Sequence, residues 1–420
     1  MKALAAALLF ATLLIPSPVH ALANRPAGVS AASEADATVS VAKLAKGGDC
    51  KALINLAEKG SLATRAKARF ALVNMGGRAV PALLHALGKR EYVPELVFVL
   101  NGIKDKRSAG PLADLLNLKD KKSLEAVENA LFALGGHSVP YLFAAIEDPS
   151  RCQSAAAVLA SIKAPNYREK LKDRLKDKRI YVRRAAADVE LSWLDPAARE
   201  DMERLLGDKD VKIRRAASAY FLAMAPNFSV KELPALLKDP DTDVRKNSVQ
   251  LATKLRDVKC FRILSEMLLS DPDPRVRALS AEAVFRCGEN GQAVAPLVAA
   301  LKDNDISVAA AAARRLGALK AAQALLPLQE LLKNKGKQSD DVVDAVAGAL
   351  ADIGMKFDAD ILLPYINWNN LYVVRSVIRA WNVSALPRDV KVKEALKNYL
   401  KMPVDDRYKN KVRTLLGKLG

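Results

Sequence analysis

The sequence contains few of the residues from which catalytic and metal sites are usually built. Of its 420 residues, three are histidine, four are cysteine and 5% are aromatic. No Cys-x-x-Cys or His-x-x-x-His spacing occurs, so the pattern expected of metal ligands is missing. A Gly-x-Ser-x-Gly elbow and a Walker loop are missing as well. We therefore predict a protein that is not an enzyme and that holds neither a metal nor a cofactor.

The N-terminus has the features of a secretory signal peptide, predicted over residues 1–23. Lys2 precedes an unbroken apolar run over residues 3–15, and small residues follow at the spacing that signal peptidase accepts. As a helix the run is about 20 Å long, too short for roughly 30 Å of hydrocarbon. No cysteine lies near the cleavage site, which argues against a lipoprotein. We expect a periplasmic or secreted protein with no membrane-spanning segment after cleavage, beginning with a flexible leader over residues 24–40.

Residues 41–420 contain a repeat with a period of 31 or 32 residues in its central part. An aspartate recurs in five consecutive units: Asp177, Asp208, Asp239, Asp271 and Asp303. An arginine follows the first four of them at a distance of six residues: Arg183, Arg214, Arg245 and Arg277. Prolines such as Pro81, Pro111 and Pro140 form a second ladder with nearly the same period, at intervals of 30 and 29 residues. Two ladders with one period indicate a repeated structural unit.

Each unit is predicted to be a helical hairpin, because apolar residues recur every three to four positions in both of its halves. The prolines fit the first turn of one helix, where no amide hydrogen is needed. The repeated aspartates fit the start of the other helix, where a carboxylate can cap free amides. One hairpin cannot bury its apolar face alone. About twelve hairpins are therefore expected to stack into an all-α solenoid, packed mainly through small side chains.

Residues 237–245, Leu-Lys-Asp-Pro-Asp-Thr-Asp-Val-Arg, and 269–277, Leu-Ser-Asp-Pro-Asp-Pro-Arg-Val-Arg, resemble HEAT repeats. The short period resembles the variety that is also found in phycobilisome lyase subunits. The resemblance implies a structural ladder in which each repeated arginine reaches the aspartate of a neighbouring repeat, although a groove for a polyanion is the alternative. It implies no single function, because such arrays serve as scaffolds, transport receptors, lyase subunits and DNA glycosylases.

The charge of the chain favours an anionic partner. Lys and Arg number 66 against 47 Asp and Glu, a net charge of +19, and residues 163–184 and 388–418 are the most basic segments. The resemblance also implies that second helices line the concave face of the solenoid. The candidates for a basic groove or its rim lie beside the ladder or in the first basic segment: Arg184, Arg215, Lys246, Lys176, Lys178 and Arg179.

Three functions are compatible with these features. The preferred hypothesis is a non-catalytic scaffold or binding protein of the bacterial cell envelope, whose partner is an acidic protein or an anionic envelope polymer. An accessory subunit for another envelope protein, similar to a lyase or a chaperone, is the alternative. A nucleic-acid binder or HEAT-like DNA glycosylase is the second alternative, and it is not expected because export separates the protein from the chromosome.

Of the four cysteines, two are expected to lie close together in the folded chain and the other two far apart. Cys50 and Cys152 are separated by about three repeats, which is too far for a disulfide. Cys260 and Cys287 are expected where the two antiparallel helices of one hairpin meet at its open end. An oxidising compartment favours a bridge between them, and two buried thiols on facing helices are the alternative.

Overall fold

The described residues are helical and contain no strand. The structure, a computed structural model, describes residues 40–89, 93–225, 230–289, 291–333, 339–365, 371–383, 390–401 and 406–418. The expected all-α class is thereby confirmed. The predicted signal peptide and all but the last residue of the predicted leader lie outside these residues.

The chain divides into two compact units, with the boundary between Lys170 and Leu171. The helices of unit 1 are α1 (residues 40–47), α2 (Cys50–Lys59), α3 (Leu62–Met75), α4 (Val80–Leu87), α5 (Val93–Ile103), α6 (Ala109–Ala113), α7 (Lys121–Leu134), α8 (Val139–Ile146) and α9 (Cys152–Ile162). Helix α10 (Arg168–Leu175) contains the boundary.

Unit 2 continues the same alternation of shorter and longer helices. Its helices are α11 (Ile180–Trp193), α12 (Arg199–Leu205), α13 (Val211–Met224), α14 (Leu233–Leu236), α15 (Thr242–Leu255), α16 (Phe261–Ser270), α17 (Pro274–Cys287), α18 (Val294–Ala300), α19 (Ile306–Ala318), α20 (Leu325–Lys333), α21 (Asp340–Ile353), α22 (Leu371–Val383), α23 (Val390–Leu400) and α24 (Asp406–Lys418). Short 3₁₀ turns lead into several of the first helices. When the 3₁₀ segment Ala359–Tyr365 is paired with α22 and α1 is left unpaired, the described helices make twelve pairs, in agreement with the predicted number.

Neighbouring hairpins pack mainly through their second helices. In unit 1, α3 contacts α5, α5 contacts α7 and α7 contacts α9. In unit 2, each of α11, α13, α15, α17, α19 and α21 contacts the next second helix along the chain, and α22 contacts α24. This arrangement is the stacked-hairpin packing of an α-solenoid, as predicted.

Small side chains allow the second helices to approach closely. The face that α19 turns to its neighbours is mostly alanine, and Ala309, Ala310, Ala312 and Ala313 are each at most 2% exposed. A Cβ atom added to Gly317 would lie 2.6 Å from the Cα atom of Ala349 on α21. The glycine is therefore required by the contact itself, because no larger residue fits between the two backbones.

The prediction that the repeated aspartates cap the second helices is wrong. The capping residues lie two positions further on: Asp210, Asp241, Asp273 and Asp305 accept amide hydrogens of the first turns of α13, α15, α17 and α19. The repeated aspartates instead accept the amide of that capping residue, as between Asp208 Oδ1 and the nitrogen of Asp210 at 2.9 Å. The first carboxylate thus fixes the turn and the second caps the helix.

Among the described residues, no single helix has both the length and the apolar character needed to cross a membrane. Two helix pairs reach that length and composition together, Leu62–Arg78 with Val80–Leu87 and Lys121–His137 with Val139–Ile146, and each pair is bent by more than 110°.

Candidate interaction surfaces

A ladder of arginine–aspartate pairs joins successive hairpins of unit 2. Each arginine donates from Nε and Nη2 to both carboxylate oxygens of the aspartate in the next hairpin, with Nε–O distances of 2.7–2.9 Å. The pairs are Arg183–Asp208, Arg214–Asp239, Arg245–Asp271 and Arg277–Asp303. The ladder ends there because Ala309 occupies the next arginine position.

The same arginines also bind the hairpin to which they belong. Nη1 of Arg245 donates to the backbone carbonyls of Asp239 and Pro240, both at 3.0 Å, and its equivalents in the other repeats bind the corresponding carbonyls. One planar guanidinium therefore donates hydrogen bonds to carbonyls of a turn in its own repeat and to a carboxylate in the next repeat. These four arginines are used within the structure, and the aspartates leave them few donors for an external anion.

The electrostatics of the ladder favour the charged forms. Burial raises the pKa of the Asp208 carboxyl, but hydrogen bonds from Arg183 and from the amide of Asp210 outweigh this and hold the pKa below its ordinary value. The hydrogen bond to Asp271 raises the pKa of the Arg245 guanidinium, against the effect of burial. The ladder thus holds the Asp208 carboxyl and the Arg245 guanidinium in their charged forms.

The three basic residues expected at a groove form a second row of ion pairs. Arg184 donates to Asp210, at 2.5 Å from Nη2, and Arg215 donates to Asp241 at 2.9 and 2.6 Å. Lys246 donates to Asp243 at 3.1 Å within its own helix. The hydrogen bond from Arg215, the largest influence on Asp241, holds the pKa of that carboxyl below its usual value. The positive charges of Arg184 and Arg215 are thus compensated by carboxylates that cap the next second helices, and that of Lys246 by a carboxylate of its own helix.

The basic segment after α10 is partly compensated in the same way. Lys176 lies 3.3 Å from the Asp201 carboxylate, and Arg179 lies 2.8 Å from Asp177. Lys178 is exposed. An anionic ligand for these residues, or for the second row, stays a prediction.

The disulfide between Cys260 and Cys287 is not formed. All four cysteines are free thiols, and these two are buried. Their sulfur atoms contact different acceptors. Cys260 Sγ lies 3.7 Å from the Asp257 carboxylate, and Cys287 Sγ lies 3.4 Å from the Ala252 carbonyl. Burial raises the pKa of Cys260 to about 12 and that of Cys287 to about 11. Of the two alternatives, the structure has the pair of buried thiols.

Unit 1 contains a feature that sequence reasoning missed. A cleft of about 780 Å³ lies on its second helices, with Phe70 of α3 and Phe98 of α5 in its lining. These side chains are 68% and 52% exposed, in a chain with few aromatic residues. Over the described residues, no group of three or more His, Cys, Asp or Glu side chains is placed to hold a metal ion.

The comparisons with known proteins agree with this fold. A family model described as HEAT repeats matches residues 294–382. The crystal structure of an engineered protein has a TM-score of 0.52 and 19% identity, and the match covers 76% of this chain and 95% of that one. A structure of Kap95p with RanGDP has a TM-score of 0.53 and 12% identity, and the match covers 93% of this chain and 60% of that one. No curated protein matches the sequence.

The repeated unit and the ladder, together with these matches, define a class. The chain has an α-solenoid fold and contains HEAT repeats, which the family model matches over residues 294–382. The closer resemblance to the short repeats of phycobilisome lyase subunits stays a prediction.

Proposed function

We propose that this HEAT-repeat protein is exported and acts as a non-catalytic scaffold that binds an acidic protein in the bacterial cell envelope. HEAT repeats are suited to protein interaction, because every second helix adds surface to a continuous face. Kap95p, which shares the fold at low identity, binds RanGDP. The export step rests on the features of residues 1–23 of the sequence.

One observation carries the proposal. The regular charges of unit 2 are paired between repeats, whereas Phe70 and Phe98 of unit 1 are more than half exposed on adjacent second helices. Aromatic side chains exposed together in a soluble chain are typical of a binding surface. The net charge of +19 adds a preference for an acidic partner.

Fractionation combined with crosslinking tests the proposal. An epitope-tagged chain is expected in the envelope fraction, whereas a matched variant that lacks residues 3–15 is expected in the cytoplasm. A chemical crosslinker should then give a discrete protein adduct only with the exported form. Retention of the intact chain in the cytoplasm would overturn the envelope assignment. An adduct that nuclease removes would favour the nucleic-acid alternative.

A further inference from the structure

We propose that the cleft between α3 and α5 binds a protein segment in which an apolar side chain is flanked by a carboxylate. The inference rests on the proposed function and assigns the binding to one site in unit 1. Its lining includes Arg69, Phe70, Phe98, Asn101, Gly102 and Lys104.

The apolar part of the cleft is built by two helices in close contact. A Cβ atom added to Gly102 of α5 would lie 2.9 Å from Cγ2 of Val73 on α3, so the glycine allows the two helices to meet at the floor. Phe70 lies about one helical turn before Val73 on α3, Phe98 lies about one turn before Gly102 on α5, and both line the cleft. The volume of about 780 Å³ is in the range that takes one or two large side chains. Exposed phenylalanines beside such a space favour an aromatic or leucine anchor.

The polar part of the cleft favours a carboxylate. The lining includes the cations Arg69 and Lys104 and no acidic residue. Arg69 Nη2 donates to the Ala57 carbonyl at 3.4 Å and approaches the Glu95 carboxylate only to 3.6 Å, outside hydrogen-bond distance. Arg69 Nε is buried and has no hydrogen-bond partner among the described residues. Lys104 is exposed. A carboxylate that enters the cleft would therefore gain two cations, of which one has an unsatisfied donor.

A third group favours a peptide. The Oδ1 atom of Asn101 is buried and without a hydrogen-bond partner in the described part of the chain. Asn101 lines the cleft, and a turn of its side chain would present this oxygen to a backbone amide of a bound segment. A buried acceptor without a partner gains most from such a bond. A nucleic acid would need cations for several successive phosphates, but the lining holds two. The combination of an apolar floor, two cations and a free acceptor thus fits an acidic peptide better than a polynucleotide.

The test uses the purified exported chain and three labelled peptides. The probe has two phenylalanines flanked by aspartates, one control has lysines in place of the aspartates, and the other has alanines in place of the phenylalanines. Fluorescence anisotropy should show binding of the probe alone. Phe98→Ala and Lys104→Glu should each weaken it by about tenfold or more. Leu326→Ala removes a side chain that is similarly exposed, at 69%, in unit 2, and should leave binding unchanged.

Three results would overturn the inference. The first is equal binding of the probe to Phe98→Ala and to the unchanged chain, both shown to be folded by circular dichroism. The second is competition of oligo(dT) with the probe. The third is a dimer that Phe98→Ala dissociates, which would make the cleft a contact between copies. If Phe98→Ala still forms the envelope adduct, the scaffold function holds but its contact lies outside the cleft. If the chain is cytoplasmic and still binds the probe, the cleft binds the peptide and only the envelope role is contradicted.

Discussion

Arg245 holds Asp271 of the next hairpin through two hydrogen bonds, of 2.8 Å from Nε and 3.0 Å from Nη2. Both side chains are buried, at 9% and 4% exposure. The third nitrogen of the guanidinium binds two carbonyls of its own turn. The pair therefore fixes the register between neighbouring repeats and is not a site for ligands.

Replacement of Arg245 by alanine is expected to lower the free energy of unfolding by about 3–5 kcal/mol, because it leaves the Asp271 carboxylate buried without its partner. The control Arg262→Ala removes a guanidinium that is 85% exposed and should change stability by less than about 0.5 kcal/mol. Urea unfolding measures both. A second control, Arg245→Met with Asp271→Leu, should recover much of the loss, since no charge is left buried. Equal stability of Arg245→Ala and Arg262→Ala would show that the ladder has no structural role.

Gly317→Ala and Gly348→Ala are expected to have opposite effects. The first places a Cβ atom 2.6 Å from the Ala349 backbone, so α19 and α21 must separate at a cost of about 1–3 kcal/mol. Nothing lies within 4 Å of a Cβ atom at Gly348, in the middle of α21. That change should stabilise the protein by about 0.5–1 kcal/mol, since alanine favours a helix over glycine. Thermal unfolding of the two variants checks the sign, and stabilisation by Gly317→Ala would contradict the close helix contact.

Stability is expected to fall in acid. Hydrogen bonds with arginines and amides hold the pKa values of Asp208, Asp210 and Asp241 below their ordinary value of about 3.9 in the folded protein. Such carboxyls contribute stability above their unfolded pKa, and the contribution is lost as the pH falls through the folded pKa. Burial and the neighbouring Glu232 raise the pKa of Glu203, so this carboxyl contributes to stability with the opposite sign.

These carboxyls should therefore leave the urea concentration at the midpoint of unfolding nearly constant between about pH 7 and pH 5. At pH values below about 4 they should lower it. In Arg215→Met the Asp241 carboxyl loses its main hydrogen bond, so the drop should be smaller than in the unchanged chain. An identical acid profile in the two proteins would show that the second row does not contribute.

Four free thiols are expected when the unreduced protein is denatured and titrated with a thiol reagent. In the native protein, Cys260 and Cys287 should react slowly at pH 8, because pKa values of about 12 and 11 leave on the order of one thiolate in a thousand or fewer. Cys50 is only half-buried and should react before them. Two thiols in the denatured protein would instead show that the pair is bridged.

The fold and the ladder could be predicted because they repeat in the sequence. An aspartate and an arginine six positions apart recur at one period, and each copy adds weight to the same structure. The sequence alone does not identify the capping residue, because the turns contain two carboxylates, for example Asp239 and Asp241. Only the position of Arg214, which takes both oxygens of Asp239, leaves Asp241 to cap the helix.

The sequence also contains a signal for the ion pairs of the expected basic row. Asp210 and Asp241 follow Arg184 and Arg215 at a constant distance of 26 residues, as regular as the ladder itself. The cleft had no such signal. Phe70 and Phe98 each lie at helical spacing from apolar residues of their own helix, and this pattern predicts that both side chains are buried. Their exposure depends on which face of α3 and α5 the neighbouring helices cover.

The central claim is that this HEAT-repeat protein binds another protein in the cell envelope through the second helices of unit 1. Photocrosslinking in living cells tests it most directly, with a benzophenone amino acid at position 98 and, as the control, at position 326. We predict a light-dependent adduct with one protein, in the envelope fraction and only from position 98. Equal adducts from both positions, or none from position 98 in a folded and exported chain, would contradict it.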